Sequence, residues 1–368
     1  MAADIWQPCL YGAPARFHYL GKTQICPAAG RGAKTEMDMQ NNIVIRRGVL
    51  RDVADELYLE RKVLIVTDKG VPREYAQMVA DRCADPTVAV IEGGEENKSL
   101  ATFEILQKTM LNNGFTRGDC VVSVGGGIVG DISGFAASAY MRGIDWYNIP
   151  TTVLSQVDSS IGGKTAVNFG GVKNIVGAFY MPKKVLIDAD VLRTLPRRQI
   201  ANGLVESIKM AAALDEDLFG IFEGMCNDEA PAETDDTLGM LGGVDIEDII
   251  RRSIEIKRRV VSADAHEKNL RKVLNFGHTI GHGIEVASGG ALLHGEAVGI
   301  GMLMMCSNDM RMRILRILRH FGLPTDCNVD KHDAINAIAH DKKSNANTIT
   351  TVYVERPGVF EFRELPLG

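Results

Sequence analysis

Between Asn42 and Val124 the sequence alternates short apolar runs with amphipathic segments, and this alternation leaves few folds open. Residues 43–45 read as a short strand and 63–68 as a buried one, whereas 71–83 have helical spacing. Residues 87–91 are again strand-like, 99–112 helical, and 120–124 form a third apolar run. Strands separated by helices pair in parallel, because the chain must cross back over the sheet before the next strand. Ligands of such sheets are expected at the carboxyl ends of the strands.

After about Thr194 strand-like runs become scarce. Segments 199–225, 246–262 and 270–287 read as helices, 227–245 as a polar, acidic loop, and 348–354 as a last strand. Residues 1–40 carry little pattern and stay unassigned. The expected fold class is α/β. A Rossmann-like parallel-sheet nucleotide-binding domain over 1–193 precedes a mostly α-helical domain over 194–368, with a cleft between them.

Net charge and cysteines narrow the function classes. A net charge of -6 speaks against a nucleic-acid partner, whose footprint is a basic face. The longest apolar stretch, 297–306, is far below the roughly 20 residues a membrane crossing needs, so no membrane partner is expected. The first residues lack the basic start and apolar core of a signal peptide. Seven scattered cysteines without a Cys-x-x-Cys pair suggest neither a disulfide framework nor a thiolate zinc site. A reduced, cytoplasmic protein is the expectation.

Gly125-Gly126-Gly127 ends a strand and opens a helix, leading into Asp131. Glycines let a phosphate approach the backbone, and the helix start offers free N–H groups. The same turn also occurs for packing alone, and it is not the Gly-x-Gly-x-x-Gly fingerprint. Upstream, Glu95 and Lys98 after one strand and Asp68 at the end of another are candidates for ribose or phosphate contacts, though single loop charges are commonly just solvated.

A stronger signal is Arg271, Asn275, His278 and His282, spaced to share one face of a helix over 270–287, with Leu274 and Ile280 pointing elsewhere. Gly277, Gly281 and Gly283 weaken such a helix and suggest close packing against its backbone. Four of the eight histidines lie between 266 and 294, the last being His294. Two imidazoles and a carboxylate with an open fourth position form a catalytic zinc arrangement, and Glu206 is a candidate carboxylate. Lys164, Lys173, Lys209, Lys257, Arg271, Lys342 and Lys343 stand beside glycine, amide or carboxylate residues. If several face one cleft, the substrate is strongly anionic.

Taken together, the stretches 155–168, 173–179 and 275–282 resemble the 3-dehydroquinate synthase family of sugar phosphate cyclases, and the likeness runs from about Ile43 to Lys343. The resemblance implies Glu206, His278 and His294 as ligands of Zn2+ (or Co2+), with His282 as an acid/base beside the metal. It implies Asp158, Lys164, Lys209, Lys257, Arg271 and Asn275 as catalytic groups, and Lys173, Asn174 and one of Lys342 or Lys343 as substrate contacts. Arg142 would reach the substrate phosphate, from the neighbouring subunit of a homodimer. NAD would touch Asp68, Glu95, Lys98, Gly126, Gly127, Asp131, Thr151, Thr152, Leu154 and Thr194, with Lys164 and Lys173 also near it.

The implied reaction converts 3-deoxy-D-arabino-heptulosonate 7-phosphate to 3-dehydroquinate and phosphate, in the shikimate route to aromatic amino acids. Its steps are transient oxidation by NAD, phosphate β-elimination, re-reduction, ring opening and intramolecular aldol closure. Two departures from the family pattern stand out. Gln199 replaces an acidic residue, and Asn269 replaces a glycine, a change that a left-handed asparagine would accommodate. Residues 1–40 and 227–245 have no counterpart. The rival readings are another cyclase, such as an amino-dehydroquinate synthase, and a metal-dependent NAD polyol dehydrogenase; a non-catalytic nucleotide-binding protein on the same scaffold is a third.

Overall fold

The computed structural model describes residues 16–18, 42–226, 237–264, 269–341 and 348–366. Eleven strands are found among them: β1 Arg16–His18, β2 Ile43–Ile45, β3 Lys62–Asp68, β4 Asp85–Ile91, β5 Cys120–Gly125, β6 Asp145–Pro150, β7 Lys164–Phe169, β8 Val172–Phe179, β9 Lys184–Ile187, β10 Thr348–Arg356 and β11 Val359–Pro366. The helices are α1 Val53–Glu56, α2 Arg73–Ala80, α3 Leu100–Asn112, α4 Gly127–Ala139, α5 Arg197–Leu214, α6 Glu216–Met225, α7 Ile246–Ala263, α8 His278–Ala287, α9 His294–Met304, α10 Asn308–His320 and α11 Lys331–Asp341. No helix is long and apolar enough to cross a membrane among the described residues.

Six strands form one parallel sheet in the order β2-β9-β6-β5-β3-β4. Its centre is apolar on both faces: Val63 to Val66 and Val121 to Val122 are fully buried, which is why β3 and β5 are readable as unbroken apolar runs. From β3 the chain steps out to β4 and then returns to the other side of β3 for β5. The strand order therefore reverses between β3 and β5, the place where open α/β sheets leave a crevice. Asp68 ends β3 and the glycine loop ends β5, so both stand at this crevice.

The helical half packs behind β9. Its core joins Val185 and Ile187 of the sheet to Leu204, Ile208, Phe219, Phe222, Ile250 and Leu318, and β10 and β11 add Val354 and Phe360. The strands β1, β11 and β10 form a separate antiparallel sheet, and β7 and β8 a hairpin of their own.

Several expectations are corrected. The helix foreseen over 270–287 is a 3-10 turn, Leu270–Asn275, followed by a break at Phe276–Gly277 before α8 starts. Gly277 has a left-handed φ of 76°, and a Cβ there would meet the Val298 carbonyl oxygen at 2.7 Å. Helical periodicity continued through a point where the backbone must turn to let α9 approach. Asn269 is not left-handed, its φ being -136°. The helix foreseen over 199–225 is broken at Asp215, whose carboxylate caps α6 by accepting from Leu218 N. Of the expected polar loop at 227–245, residues 237–245 are described, and they are not simply polar. Met240 and Leu241 sit in a short 3-10 turn and are buried in the core.

Candidate active site

Eight segments of chain converge on one cavity of about 490 Å³. Asp131 reaches it from α4, Asp158 from a π-turn over 155–159, and Lys164 and Asn174 from the hairpin. Lys209 comes from α5 and Lys257 from α7. Arg271 and Asn275 come from the 3-10 turn, His278 and His282 from α8, and His294 from the start of α9. The turn and α8 thus present on one wall the residues that a continuous helix was expected to align. Leu274 also lines the cavity, contrary to expectation, because the 3-10 turn rotates it inward.

The cavity is cationic. Lys209, Lys257 and Arg271 are at most 5% exposed, so their charges are held largely out of water. Lys257 donates to the Asp158 carboxylate at 2.7 Å. Burial pulls the Lys257 ammonium below its ordinary pKa despite Asp158, and the neighbouring Lys209 and Arg271 cations add to the effect. Concentrating cations at such a cost suits an anionic ligand.

At one end lies a set of metal-type donors. Glu206 is 1% exposed. Its Oε2 accepts a hydrogen bond from Lys209 Nζ, while Oε1 is buried with no hydrogen-bond partner among the described residues. Oε1 lies 3.4 Å from His278 Nε2 and 3.5 Å from His294 Nε2, too long for hydrogen bonds. Ligands about 2.05 Å from a tetrahedral zinc lie about 3.3 Å from each other, so these separations suit three atoms sharing one ion. The donor atoms of His278, His282 and His294 all lie within 4.8 Å of one another. His278 Nδ1 contacts the Phe276 carbonyl oxygen at 3.2 Å; since a carbonyl only accepts, Nδ1 carries the proton and Nε2 presents its lone pair. The residues present fit a divalent cation.

Electrostatics agree with that fit. Burial alone would neutralise Glu206, but the Lys209 cation and the two imidazoles outweigh it and hold the carboxyl well below the usual range. Burial, with Lys209 beside it, pushes His278 well below its ordinary value, so the ring is neutral. Burial also disfavours the His294 cation, but the nearby Glu206 carboxylate and the hydrogen bond to Glu285 lift it to about 9. A metal at Nε2 competes with that proton.

The crevice side carries the other candidates. Gly126 precedes α4, whose first turn has no side-chain cap, and a Cβ on Gly126 would stand 3.1 Å from Thr152 Cγ2. Thr151 N donates to Gly125 O, and Thr152 Oγ1 accepts from Ser155 N, with Leu154 between them in the chain. Thr194 shares a hydrogen bond with Tyr75 Oη at 3.0 Å. Lys98 is buried and engaged, its Nζ 2.5 Å from Asp131 Oδ2 and 2.5 Å from Asn174 Oδ1. Glu95 accepts from Asn168 at 2.9 Å. Burial raises Asp131 to about 6 against the pull of Lys98.

Some expected residues do not join the cavity. Arg142 is exposed in the turn after α4, where Met141 and Arg142 both have positive φ. Lys173 is paired with Glu285 at 2.6 Å. Lys342 and Lys343 lie outside the described residues. Glu285 itself was missed, although it follows His278 by seven residues and His282 by three on the same helical face.

Comparison with known proteins joins these features. The family descriptions "3-dehydroquinate synthase N-terminal" and "3-dehydroquinate synthase C-terminal" match residues 88–202 and 203–344. A 3-dehydroquinate synthase of Thermoanaerobacter sp. (strain X514) is 42% identical over 306 residues, 79% of this chain and 83% of the relative. Among solved structures, 2-epi-5-epi-valiolone synthase from Streptomyces hygroscopicus subsp. jinggangensis 5008, with NAD+ and Zn2+ bound, superposes with a TM-score of 0.76. It is 27% identical and covers 90% of this chain and 93% of its own. A 2-deoxy-scyllo-inosose synthase complexed with carbaglucose-6-phosphate, NAD+ and Co2+ gives a TM-score of 0.75 at 26% identity, covering 88% of this chain and 93% of its own. The chain belongs to the 3-dehydroquinate synthase family.

Proposed function

We propose that this chain is a 3-dehydroquinate synthase, closing a seven-carbon ketose acid phosphate into a carbocycle with loss of phosphate. The observation that carries this reading is the unpartnered, buried Oε1 of Glu206 facing two imidazoles in a cavity that also holds Lys164, Lys209, Lys257 and Arg271. A polyol dehydrogenase needs the donor set but not the surplus of cations.

Glu206, His278 and His294 would hold the metal, and the residues at the β3–β5 crevice would hold NAD. When bound, a zinc or cobalt ion would supply Lewis acidity to a substrate hydroxyl, and NAD a hydride acceptor that later gives the hydride back. Lys209 keeps Glu206 ionised and turned, leaving Oε1 for a cation. Lys164, Lys257 and Arg271 bind and orient the phosphate and carboxylate of the substrate, which restrains a flexible chain toward ring closure. Asp158 holds Lys257 in place. His282, whose ring lies 5.2 Å from that of His278 and 5.5 Å from that of His294, is placed to give or take a proton beside the metal.

The labour divides between a nucleotide-binding part, 1–193, and a metal- and substrate-binding part, 194–368. The active form is a cytoplasmic homodimer in which Arg142 serves the partner's cavity; its exposure and its position away from the chain's own cavity support this. The test is phosphate release from 3-deoxy-D-arabino-heptulosonate 7-phosphate, with and without NAD and metal. Release that requires both, without net NADH, is expected. Stoichiometric NADH from a polyol would instead mark a dehydrogenase, and turnover only with an amino-substituted substrate an amino-dehydroquinate synthase.

A further inference from the structure

Glu285 lies on α8, 17% exposed at its side chain, between two groups that the reaction would use. Its Oε2 is 2.9 Å from His294 Nδ1, and its Oε1 is 2.6 Å from Lys173 Nζ on β8. An ionised carboxylate only accepts hydrogen bonds, so His294 Nδ1 is the donor and Nε2 is the atom left facing Glu206. For His278 the same tautomer is set by a main-chain carbonyl, that of Phe276, which the fold fixes. His294 has no such carbonyl among the described residues: its ring lies edge-on to His278 and tilted to His282, at centroid distances of 5.2 and 5.5 Å. The side chain is 30% exposed and stands at the first residue of α9. Its orientation therefore depends on a side chain that must itself be held.

We propose that Glu285 is a positioning residue for the metal site, fixing the tautomer and tilt of His294, and that Lys173 holds its carboxylate in place from the hairpin. The inference rests on the metal reading given above. A carboxylate behind a histidine ligand aims its lone pair and raises its basicity, and losing one commonly costs tenfold or more in metal affinity. Glu285 is not among the residues that line the cavity, and its two oxygens accept from His294 and Lys173.

The experiment is a cobalt(II) titration of the full chain against a chromogenic chelator, read with the cobalt visible spectrum and the melting temperature of the metal-free protein. The wild-type chain is expected to take up one cobalt with a four- or five-coordinate spectrum. Glu285→Ala is expected to melt within a few degrees of wild type yet bind cobalt roughly 10- to 100-fold more weakly. Glu285→Gln retains an acceptor for Nδ1–H and is expected to recover most of that loss. Should Glu285→Ala fail to fold, Glu285→Met, of similar length and without an acceptor oxygen, carries the same expectation. Wild-type cobalt affinity and spectrum in the folded Ala or Met variant would overturn the positioning role. No cobalt uptake by the wild-type chain, or full uptake by Glu206→Gln, would instead overturn the metal reading beneath it.

Discussion

At the scale of single residues the site is shaped by one buried carboxylate with two unlike oxygens. Glu206 gives Oε2 to Lys209 and keeps Oε1 bare, and an orphaned acceptor at 1% exposure is costly unless a cation completes it. Glu206→Gln would keep the volume but leave the Lys209 ammonium, 2% exposed, without a counter-charge. Breaking such a pair costs about 3–5 kcal/mol, so the variant should melt clearly below wild type and lose its metal together with phosphate release. Calorimetry with metal analysis checks it; a metal-free variant as stable as wild type would mean that the pair matters little to the fold. Thiols show the opposite use of burial. Burial pushes Cys120 and Cys306 up to about 12, so at pH 8 a fraction on the order of 10⁻⁴ is thiolate. Iodoacetamide at pH 8 should leave both unlabelled in the folded chain and label both after unfolding, as mapped by peptide mass spectrometry. Native labelling of either would show that its segment opens on the labelling timescale.

At the scale of elements, the pairing of α8 with α9 brings His278 and His282 to His294, and glycines allow it. A Cβ on Gly301 of α9 would stand 2.1 Å from the Gly277 carbonyl oxygen, and one on Gly281 of α8 would stand 2.8 Å from Val298 Cα. Alanine in a helix is favoured over glycine by about 1 kcal/mol, whereas overpacking against backbone costs about 1–3 kcal/mol. At 2.1 Å from a main-chain atom the clash wins. Gly301→Ala should lower stability and, by spreading the two helices, weaken metal binding, in contrast to the usual gain from glycine replacement in a helix. Thermal melts and chelator competition read both, and an unchanged metal affinity would mean that the helices need not touch here. Gly281 was legible in the sequence as a sign of close packing, but Gly301 and the break at Gly277 were not, the latter because helical spacing runs on across it. β3 and β5 were legible since both faces are apolar. The hairpin β7–β8 was not, as its pattern answers to a cavity: Lys164, Asn174, Ile175 and Phe179 line the site, and Phe169, Ile175 and Phe179 are exposed rather than packed in a core. Glu285 escaped because one carboxylate on a helix reads as solvated charge until its partners, 9 and 112 residues away, are known.

At the scale of the whole molecule, the cavity has cations on its walls but Arg142 stands outside it, on a turn with two successive positive-φ residues, Met141 and Arg142. Backbone strain of this kind, of order 1–3 kcal/mol for each such residue, persists when it aims a side chain that function needs. Arg142 serves either its own cavity or, as proposed above, that of a second copy. Mixing two inactive variants separates these cases. Take Arg142→Ala and Lys257→Met, each defective alone, and let subunits exchange. In a mixed dimer one cavity combines the intact Lys257 of the first subunit with the intact Arg142 of the second, and the other cavity carries both defects. Random pairing of equal amounts makes about half of the dimers mixed with one good cavity in two, so activity should rise to about one quarter of wild type. Arginine acting within its own subunit predicts no rise at all, because every cavity then retains one of the two lesions. The quarter-activity plateau therefore measures the sharing directly, and a flat line after verified exchange would remove Arg142 from the partner's cavity.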